Sequence, residues 1–158
     1  MSNRILKYII FAVSVSILVF VDQYTKFLAS INLKDKAPKV LIDKVLELVY
    51  TENSGAAFGI LQGKQILFYI LTIVVLIVLL ILLYKMEFNT HNIPYFIFLI
   101  LIFSGAVGNF IDRVKNKFVV DFIYFKPIDF PVFNFADICI TCGVILALIA
   151  TLTIYRNE

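Results

Sequence analysis

The segment Ile66–Tyr84, ILFYILTIVVLIVLLILLY, contains no charged side chain. A helix that crosses the hydrocarbon core of a bilayer needs about 20 predominantly apolar residues, because each residue adds about 1.5 Å of length. We therefore predict a transmembrane helix at about 65–84. The composition of the chain agrees, since 61% of its 158 residues are hydrophobic and only 16% are charged. A soluble domain is usually about half apolar and about a quarter charged.

Three other apolar stretches are also predicted to span the membrane. The first follows Arg4 and Lys7, as the apolar core of a signal peptide would. No small-residue cleavage site comes after it, so we expect a retained helix. The chain is expected to form a single membrane-embedded domain, 1–158. The three additional helices are predicted at about 8–28, 93–112 and 137–155.

Two loops, at 29–64 and 113–136, are expected outside the membrane. Within them Val45–Thr51, Val119–Phe125 and the shorter Val132–Phe135 are rich in β-branched and aromatic residues, which is typical of strands. The predicted fold class is therefore an all-α membrane protein with four transmembrane helices. A small extramembrane β-sheet, a cradle, is expected on one membrane face.

Polar side chains concentrate on that same face. In a bundle of alternating helices, the ends of helices 1 and 3 and the starts of helices 2 and 4 lie together. The opposite face has charges typical of ordinary helix flanks, such as Lys7 and Lys85. Ionisable groups at membrane depth are costly and usually functional. The clustered residues are Asp22, Lys26, Asn53, Asn109, Asp112, Arg113, Asp121, Asn134 and Asp137.

The distribution of basic residues bears on orientation and on partners. Lys and Arg number 4 on the N-terminal side and 10 on the polar side, so the positive-inside rule places the polar face in the cytoplasm. The net charge is only +3 and no basic stripe with interleaved aromatics occurs. We therefore expect no nucleic-acid partner, while membrane lipids are expected contacts.

Asp121 and Asp137 are the first candidates for chemistry. They flank an excursion that leaves and re-enters the same membrane face, so their carboxyl groups can meet. When two carboxyl groups lie close together, one is favoured as acid and the other as base, and such a pair can activate water against an amide. The alternative is that Asp137 only caps helix 4 and Asp121 is a solvated strand residue. Spacing alone leaves both possibilities open.

Other polar residues are expected to be structural. Asp22 and Lys26 are spaced for an i,i+4 ion pair, and Asp112 stands beside Arg113, which can instead bind a lipid phosphate or a peptide carbonyl. The small residues Gly105, Ala106 and Gly108 favour close helix packing. The run from Gly55 to Gly59 permits close backbone approach to a ligand.

Three patterns are treated as misleading. Cys139 and Cys142 form C-x-x-C, but they lie within an apolar helix and are expected to be small core residues. Ser54 with Lys26 has the composition of a Ser/Lys protease pair, although nothing in the sequence orients it. His91 is the only histidine, so we expect no metal site and no cofactor.

Five blocks of sequence occur in an order that resembles one known family. Together they are similar to bacterial lipoprotein signal peptidase, also called signal peptidase II, over essentially the whole chain. Any one block would be weak evidence, whereas five in sequence are highly specific. The blocks are Asp22–Lys26, Asn53–Gly59, Gly105–Arg113, Val119–Ile123 and Phe133–Asp137.

The resemblance implies an aspartic endopeptidase of the bacterial cytoplasmic membrane that cleaves diacylglyceryl-modified prolipoproteins just before the lipidated Cys. It implies a catalytic dyad of Asp121 and Asp137, and structural roles for Asp22 and Lys26. It also implies cytoplasmic termini, a site at the outer leaflet, which reverses the charge-based orientation, and inhibition by the cyclic peptide globomycin. We separately expect a monomer. The supporting or substrate-binding residues would be Asn53, Gly55, Gly108, Asn109, Arg113 and Asn134.

Two other functions are compatible with intramembrane polar residues. A small proton- or ion-coupled transporter uses such groups, but it should carry them through the bilayer depth, and the middle of every predicted helix is apolar. A non-catalytic assembly factor could use the polar cluster only to hold its fold. For that function, conservative changes should harm stability and leave no activity to lose.

Overall fold

The structure is a computed structural model that describes residues 3–55 and 63–155, with side chains described for 4–55 and 63–152. All four of its long helices are apolar enough to cross a membrane. The predicted membrane fold of four helices with a small sheet is confirmed. In chain order the elements are α1 (Asn3–Leu33), β1 (Lys39–Ile42), β2 (Leu46–Asn53), α2 (Gln65–Lys85), α3 (Ile93–Asn116), β3 (Val119–Phe125) and α4 (Phe135–Tyr155).

Helix α1 continues well beyond its predicted end near residue 28. Asp22 and Lys26 do not terminate it, because both are buried against the bundle, at 1% and 3% exposure. After them, Ala29 and Leu33 pack against the apolar side chains of β3. The end of α1 therefore supports the sheet, which fixes the height of β3 above the bundle.

Helix α3 packs against each of the other three helices. Its approach to α4 is close enough that a side chain at either of two glycines would crowd the other helix. A Cβ atom on Gly105 would lie 2.4 Å from the carbonyl oxygen of Ala136, and one on Gly143 would lie 2.8 Å from Cγ1 of Ile102. The small residues of α3 thus serve helix packing, as predicted, and they bring the start of α4 against α3.

Lys7 differs from the ordinary flank that the sequence predicts. It is buried, at 3% exposure. Its ammonium group donates hydrogen bonds to the carbonyl oxygens of Leu83, at 2.7 Å, and Met86, at 2.8 Å. A cation at a helix C-terminus satisfies carbonyl groups that have no partner within the helix. Lys7 therefore ties α1 to the end of α2 on the face opposite the sheet.

The three strands form one antiparallel sheet in the order β1-β2-β3. The two longer predicted strands correspond to β2 and β3, whereas β1 was not predicted. The predicted strand Val132–Phe135 is wrong, since only Phe133 bridges to β3, at Ile123. Pro131 has no N–H to donate, and the chain enters α4 at Phe135, so little backbone remains to pair.

Candidate active site

Asp121 lies in the middle of β3, opposite Thr51 of β2. Two residues further along, Asn53 faces Val119 across the same pair of strands. The side-chain amide of Asn53 donates to Oδ2 of Asp121 at 2.9 Å, and its oxygen accepts from the backbone N–H of Gly55 at 3.0 Å. The strand pairing thus presents the Asp121 carboxyl and orients the amide that binds it.

Asp137 lies in the first turn of α4, where its carboxylate joins a reciprocal cap. The Asn134 side chain accepts from the backbone N–H of Asp137 at 3.1 Å, and Oδ2 of Asp137 accepts from the backbone N–H of Asn134 at 3.1 Å. Such a capping box satisfies two helix-end donors at once. Asp137 therefore caps helix α4 and also lies in the candidate site.

Two amide side chains connect the carboxyl groups of Asp121 and Asp137. Asn134 donates to Oδ1 of Asp121 at 2.6 Å and to Oδ1 of Asn109 at 3.1 Å. Asn109 in turn donates to Oδ1 of Asp137 at 2.8 Å. The polar residues predicted to share a face are thus brought together, in a chain that runs from β3 through α3 to α4.

Both carboxyl groups line one cavity of about 710 Å³ between the sheet, α3 and α4. Its polar wall includes Asn53 and Arg113, and its apolar wall includes Val132 and Phe133. The cavity extends along α4 past side chains that are exposed on the outer surface of the helix, namely Ile138, Thr141 and Cys142. It therefore joins a pair of carboxyl groups to a surface that faces lipid.

The Asp121 carboxyl is 2% exposed. Burial raises its pKa from 3.8 to about 6, and the charge of Asp137 acts in the same direction. Hydrogen bonds from Asn53 and Asn134 and the charge of Lys26 oppose the rise in pKa. Burial prevails because removing a carboxylate from water disfavours its charged form. Asp121 therefore keeps its proton to a higher pH than an exposed aspartate does.

Arg113 is directed into the cavity and does not pair with Asp112. Its guanidinium carbon lies 4.7 Å from the centroid of the Phe68 ring. Within the described residues, its terminal nitrogens donate only long hydrogen bonds, at 3.4 Å, to the carbonyl oxygens of Asn109 and Gly55. Its Nε is buried and has no partner among the residues that the structure describes. Arg113 therefore retains donor capacity for an occupant of the cavity.

A buried ion cluster lies behind the two carboxyl groups. The ammonium group of Lys26 is 2.9 Å from Asp22 and 3.2 Å from Asp112, and all three side chains are almost fully buried. Lys26 also donates to Oδ1 of Asn109 at 2.9 Å, so that the amide nitrogen of Asn109 faces Asp137. The three predicted structural residues thus hold the groups that contact Asp121 and Asp137.

The carboxylates of the ion cluster also bind the backbone of neighbouring elements. Asp22 accepts from the N–H of Ala136 at the start of α4, at 2.9 Å. Asp112 accepts from the N–H of Val120 in β3, at 3.1 Å. Each carboxylate therefore fixes the element that carries one member of the Asp121–Asp137 pair.

The two predicted supporting glycines occupy different positions. Gly55 is buried and lines the cavity. Gly108 is absent from the cavity wall, and a Cβ there would lie 2.4 Å from Oδ2 of Asp22, so its role is to admit the ion cluster. The remainder of the Gly55–Gly59 run lies outside the described residues.

The structure shows where the side chains of the patterns treated as misleading lie. Lys26 is engaged by the ion cluster and Asn109 and makes no hydrogen bond to Ser54 in the described part of the chain. Cys139 is buried as predicted, but Cys142 is exposed and lines the cavity, so the expectation of two core residues was wrong for Cys142. Among the described residues, no group of three His, Cys, Asp or Glu side chains could hold a metal ion.

Two features of the site were missed from the sequence. Gln23 donates to Asp22, to the carbonyl oxygen of Gly108 and to Asp112, at 3.0–3.2 Å, and so joins α1 to α3 within the ion cluster. Its place beside Asp22 in the first sequence block was the available signal. The segment 130–133, predicted partly as a strand, instead forms a wall of the cavity.

Comparison with known proteins gives a consistent result. The family model described as signal peptidase (SPase) II matches residues 14–153. A lipoprotein signal peptidase of Streptococcus pyogenes serotype M1 is 39% identical over 141 residues, which is 89% of this chain and 91% of that protein. One from Latilactobacillus sakei subsp. sakei (strain 23K) is 42% identical over 131 residues, 83% of this chain and 85% of that protein.

Comparison with solved structures gives the same result as comparison of sequences. A bacterial membrane enzyme determined by the in meso method at 2.3 Å superposes with a TM-score of 0.85 at 38% identity, covering 94% of this chain and 90% of that one. A second, determined at 1.9 Å, gives a TM-score of 0.79 at 39% identity, covering 90% and 92%. The chain therefore belongs to the signal peptidase II family, a family of bacterial membrane peptidases.

Proposed function

We propose that the chain is an aspartic endopeptidase that removes signal peptides from diacylglyceryl-modified prolipoproteins, cleaving just before the lipidated Cys. The observation that carries the proposal is the pair Asp121 and Asp137, which come from two different elements and line one cavity. Amide side chains bind both carboxyl groups. Family membership supports the substrate class, because the relatives are lipoprotein signal peptidases.

In this mechanism the two carboxyl groups share one proton. Burial and a pKa of about 6 favour the proton on Asp121. The ionised Asp137 takes a proton from a water molecule as that water attacks the scissile carbonyl carbon. Asp121 gives its proton to the leaving nitrogen when the C–N bond breaks. The products are a carboxylic acid and an amine, so the reaction needs only water and the two side chains.

Arg113 and the amides are proposed to position the substrate and the dyad. Arg113 has a buried Nε with no partner in the described residues, which suits a peptide carbonyl oxygen. Asn109 is fixed by Lys26 on one side and binds Asp137 on the other. Preorganised donors of this kind stabilise charge that develops in the transition state.

The shape of the cavity supports a substrate that is anchored in the bilayer. Exposed side chains of α4, including Ile138 and Cys142, continue from the polar end of the cavity toward lipid. Diacylglycerol chains can therefore remain in the membrane while the scissile amide reaches the carboxyl groups. We further propose that the chain acts as a monomer, with cytoplasmic termini and its site at the outer leaflet, and that globomycin occupies the same cavity.

The test is a cleavage assay with one precursor in two forms. The purified chain in bilayers is given a prolipoprotein with or without the diacylglyceryl group on its Cys. The lipidated form should be cut at the bond before that Cys, as read by the mass of the product, and the unlipidated form should be a poor substrate. Equal cleavage of both forms would refute the substrate class, and no cleavage of either would refute the proposed activity.

A further inference from the structure

A second groove, of about 530 Å³, lies between the outer end of α1 and the sheet. Its apolar residues include Leu28, Ala29 and Leu33 of α1, Leu48 of β2 and Phe122 of β3. It shares no lining residue with the cavity that contains Asp121 and Asp137. The groove is therefore separate from the cavity proposed to hold the peptide.

The depth of the groove can be measured along α1 from Lys7. Lys7 binds the carbonyl groups that end α2 and so marks the membrane boundary on the opposite face. About 20 helical residues, or about 30 Å, cross the hydrocarbon core. Residues from Leu28 onward consequently lie at the depth of the lipid headgroups, which is the depth of the groove.

The rim of the groove carries uncompensated positive charge. Lys36 and Lys39 both line it, no acidic side chain does, and neither lysine has an ion pair within the described part of the chain. Lys36 donates to the carbonyl oxygen of Ile31 at 3.2 Å, which leaves its charge without a counter-ion. Nearby Lys34 differs, because it pairs with Glu52 at 2.9 Å. An apolar floor with two such ammonium groups at headgroup depth is complementary to a lipid that carries negative charge.

Strand β1, which follows the groove in the chain, has an unusual surface for an edge strand. Val40, Leu41 and Ile42 are 53%, 49% and 55% exposed. Exposed apolar side chains are costly in water but favourable against a lipid surface. This hairpin is therefore expected to contact the bilayer and to keep the mouth of the groove open to lipid.

We propose that this groove binds an anionic phospholipid of the leaflet at the candidate-site face. Its phosphate lies between Lys36 and Lys39, and its acyl chains descend along the Leu28 side of α1. Binding does not depend on the peptidase activity proposed above. The lipid would contact Phe122, the neighbour of Asp121 in β3, and so support the strand that presents that carboxyl group.

The chain contains no tryptophan, so one introduced Trp is a clean fluorescence reporter. Leu28→Trp places it in the groove. Phe27→Trp, at an exposed neighbouring position outside the groove, is the depth-matched control. Each variant is placed in phosphatidylcholine bilayers that contain a few per cent of either brominated phosphatidylglycerol or brominated phosphatidylcholine. Quenching then reports which lipid occupies the site.

We expect phosphatidylglycerol to be preferred in Leu28→Trp and not in Phe27→Trp. Each lysine near an anionic group contributes about fivefold in affinity. The preference should therefore disappear when Lys36→Gln and Lys39→Gln are added. It should survive Lys44→Gln with Lys115→Gln, an equal change of charge outside the groove. Equal quenching by the two lipids, or a preference that both lysine pairs affect alike, would overturn the proposal.

A second measurement avoids the tryptophan substitutions. The unsubstituted chain is released from mixed phosphatidylglycerol and phosphatidylcholine bilayers into native mass spectrometry. It should retain one phosphatidylglycerol, and the Lys36→Gln/Lys39→Gln variant should lose it. Retention of the lipid by that double variant would contradict binding in the groove.

Discussion

The carboxyl group of Asp121 is placed where its ionisation opposes folding. Its pKa is about 6 in the folded chain against an ordinary value of 3.8. Between about pH 4 and about pH 6, the folded chain holds a proton that the unfolded chain has released, so stability from this group falls as pH rises. Above that range the full cost is up to about 3 kcal/mol, at about 1.4 kcal/mol per pKa unit.

Asp121→Asn removes this titration. The unfolding free energy of the variant minus that of the unsubstituted chain should rise by about 1–3 kcal/mol from about pH 4.5 to about pH 7.5. The altered hydrogen bonds shift this difference by a constant amount and do not change the trend. Thermal unfolding in detergent at the two pH values measures the change. Asp129→Asn, at an exposed aspartate in the same excursion, is the control. A pH-independent difference for Asp121→Asn would contradict the buried, protonatable carboxyl.

Lys26 illustrates how much a charge depends on its surroundings. Replacing Lys26 with Met leaves Asp22 and Asp112 buried without their cation, and we expect a loss of about 3–5 kcal/mol in unfolding free energy. Lys34→Met breaks a pair whose side chains are 48% and 40% exposed, and should cost less than about 1 kcal/mol. Unfolding measurements on both variants compare the pairs directly. Similar losses would show that the cluster is not the support described here.

At the scale of the elements, the contact of α3 with α4 sets the position of Asp137. Gly105→Ala would push a methyl group against the backbone of α4, whose carbonyl oxygen cannot move alone. We expect a loss of about 1–3 kcal/mol in unfolding free energy, together with slower cleavage. Gly143→Ala meets the Ile102 side chain at 2.8 Å but no backbone atom closer than 3.4 Å, so it should cost less. Unfolding midpoints rank the two, and the reverse order would contradict the packing described.

The sequence predicted the four spans because apolar runs of this length are rare in proteins that do not cross a membrane. It ended α1 too early, since polar residues such as Asp22 mark a membrane boundary only when they are not paired inside the protein. Strand β1 was missed because Lys39–Ile42 is short, follows Pro38 and shows no alternation of apolar and polar residues. Strand β3 was predicted with its observed ends, because its residues other than Asp121 are β-branched or aromatic.

The sequence predicted which residues form the site but not the hydrogen bonds that connect them. Helix parity placed the polar residues on one face, and the spacing of the excursion allowed Asp121 and Asp137 to meet. These hydrogen bonds depend on side-chain directions that neighbouring residues in the sequence do not determine. Lys26 binds Asn109, for example, across 83 positions of the chain. Gln23 was missed for the same reason, since its partners in α3 are as distant in sequence.

At the scale of the whole molecule, orientation in the membrane is the open prediction. The count of basic residues places the sheet in the cytoplasm, whereas the family resemblance places it outside. Lys39 and Lys44 of that count lie on the β1–β2 hairpin, where they are exposed surface residues and do not flank a span. We therefore expect the sheet outside and the loop between α2 and α3 in the cytoplasm.

Cysteine labelling in intact cells tests this orientation. In a Cys142→Ala background, where the remaining Cys139 is buried, Lys44→Cys should react with a membrane-impermeant maleimide. His91→Cys, which is exposed on the opposite face, should react only after the cells are opened. Labelling of His91→Cys and not Lys44→Cys in intact cells would restore the orientation given by the charge count.

The peptidase mechanism depends on two carboxyl groups, and cleavage by their amide variants tests it most directly. Purified Asp121→Asn and Asp137→Asn are compared with Asp129→Asn for the initial rate of cleavage of a lipidated prolipoprotein. Each dyad variant should lose at least about 100-fold, the usual contribution of a general acid or base, while Asp129→Asn keeps the rate of the unsubstituted chain. Near-normal turnover by either dyad variant, shown to be folded by its thermal unfolding, would contradict the mechanism.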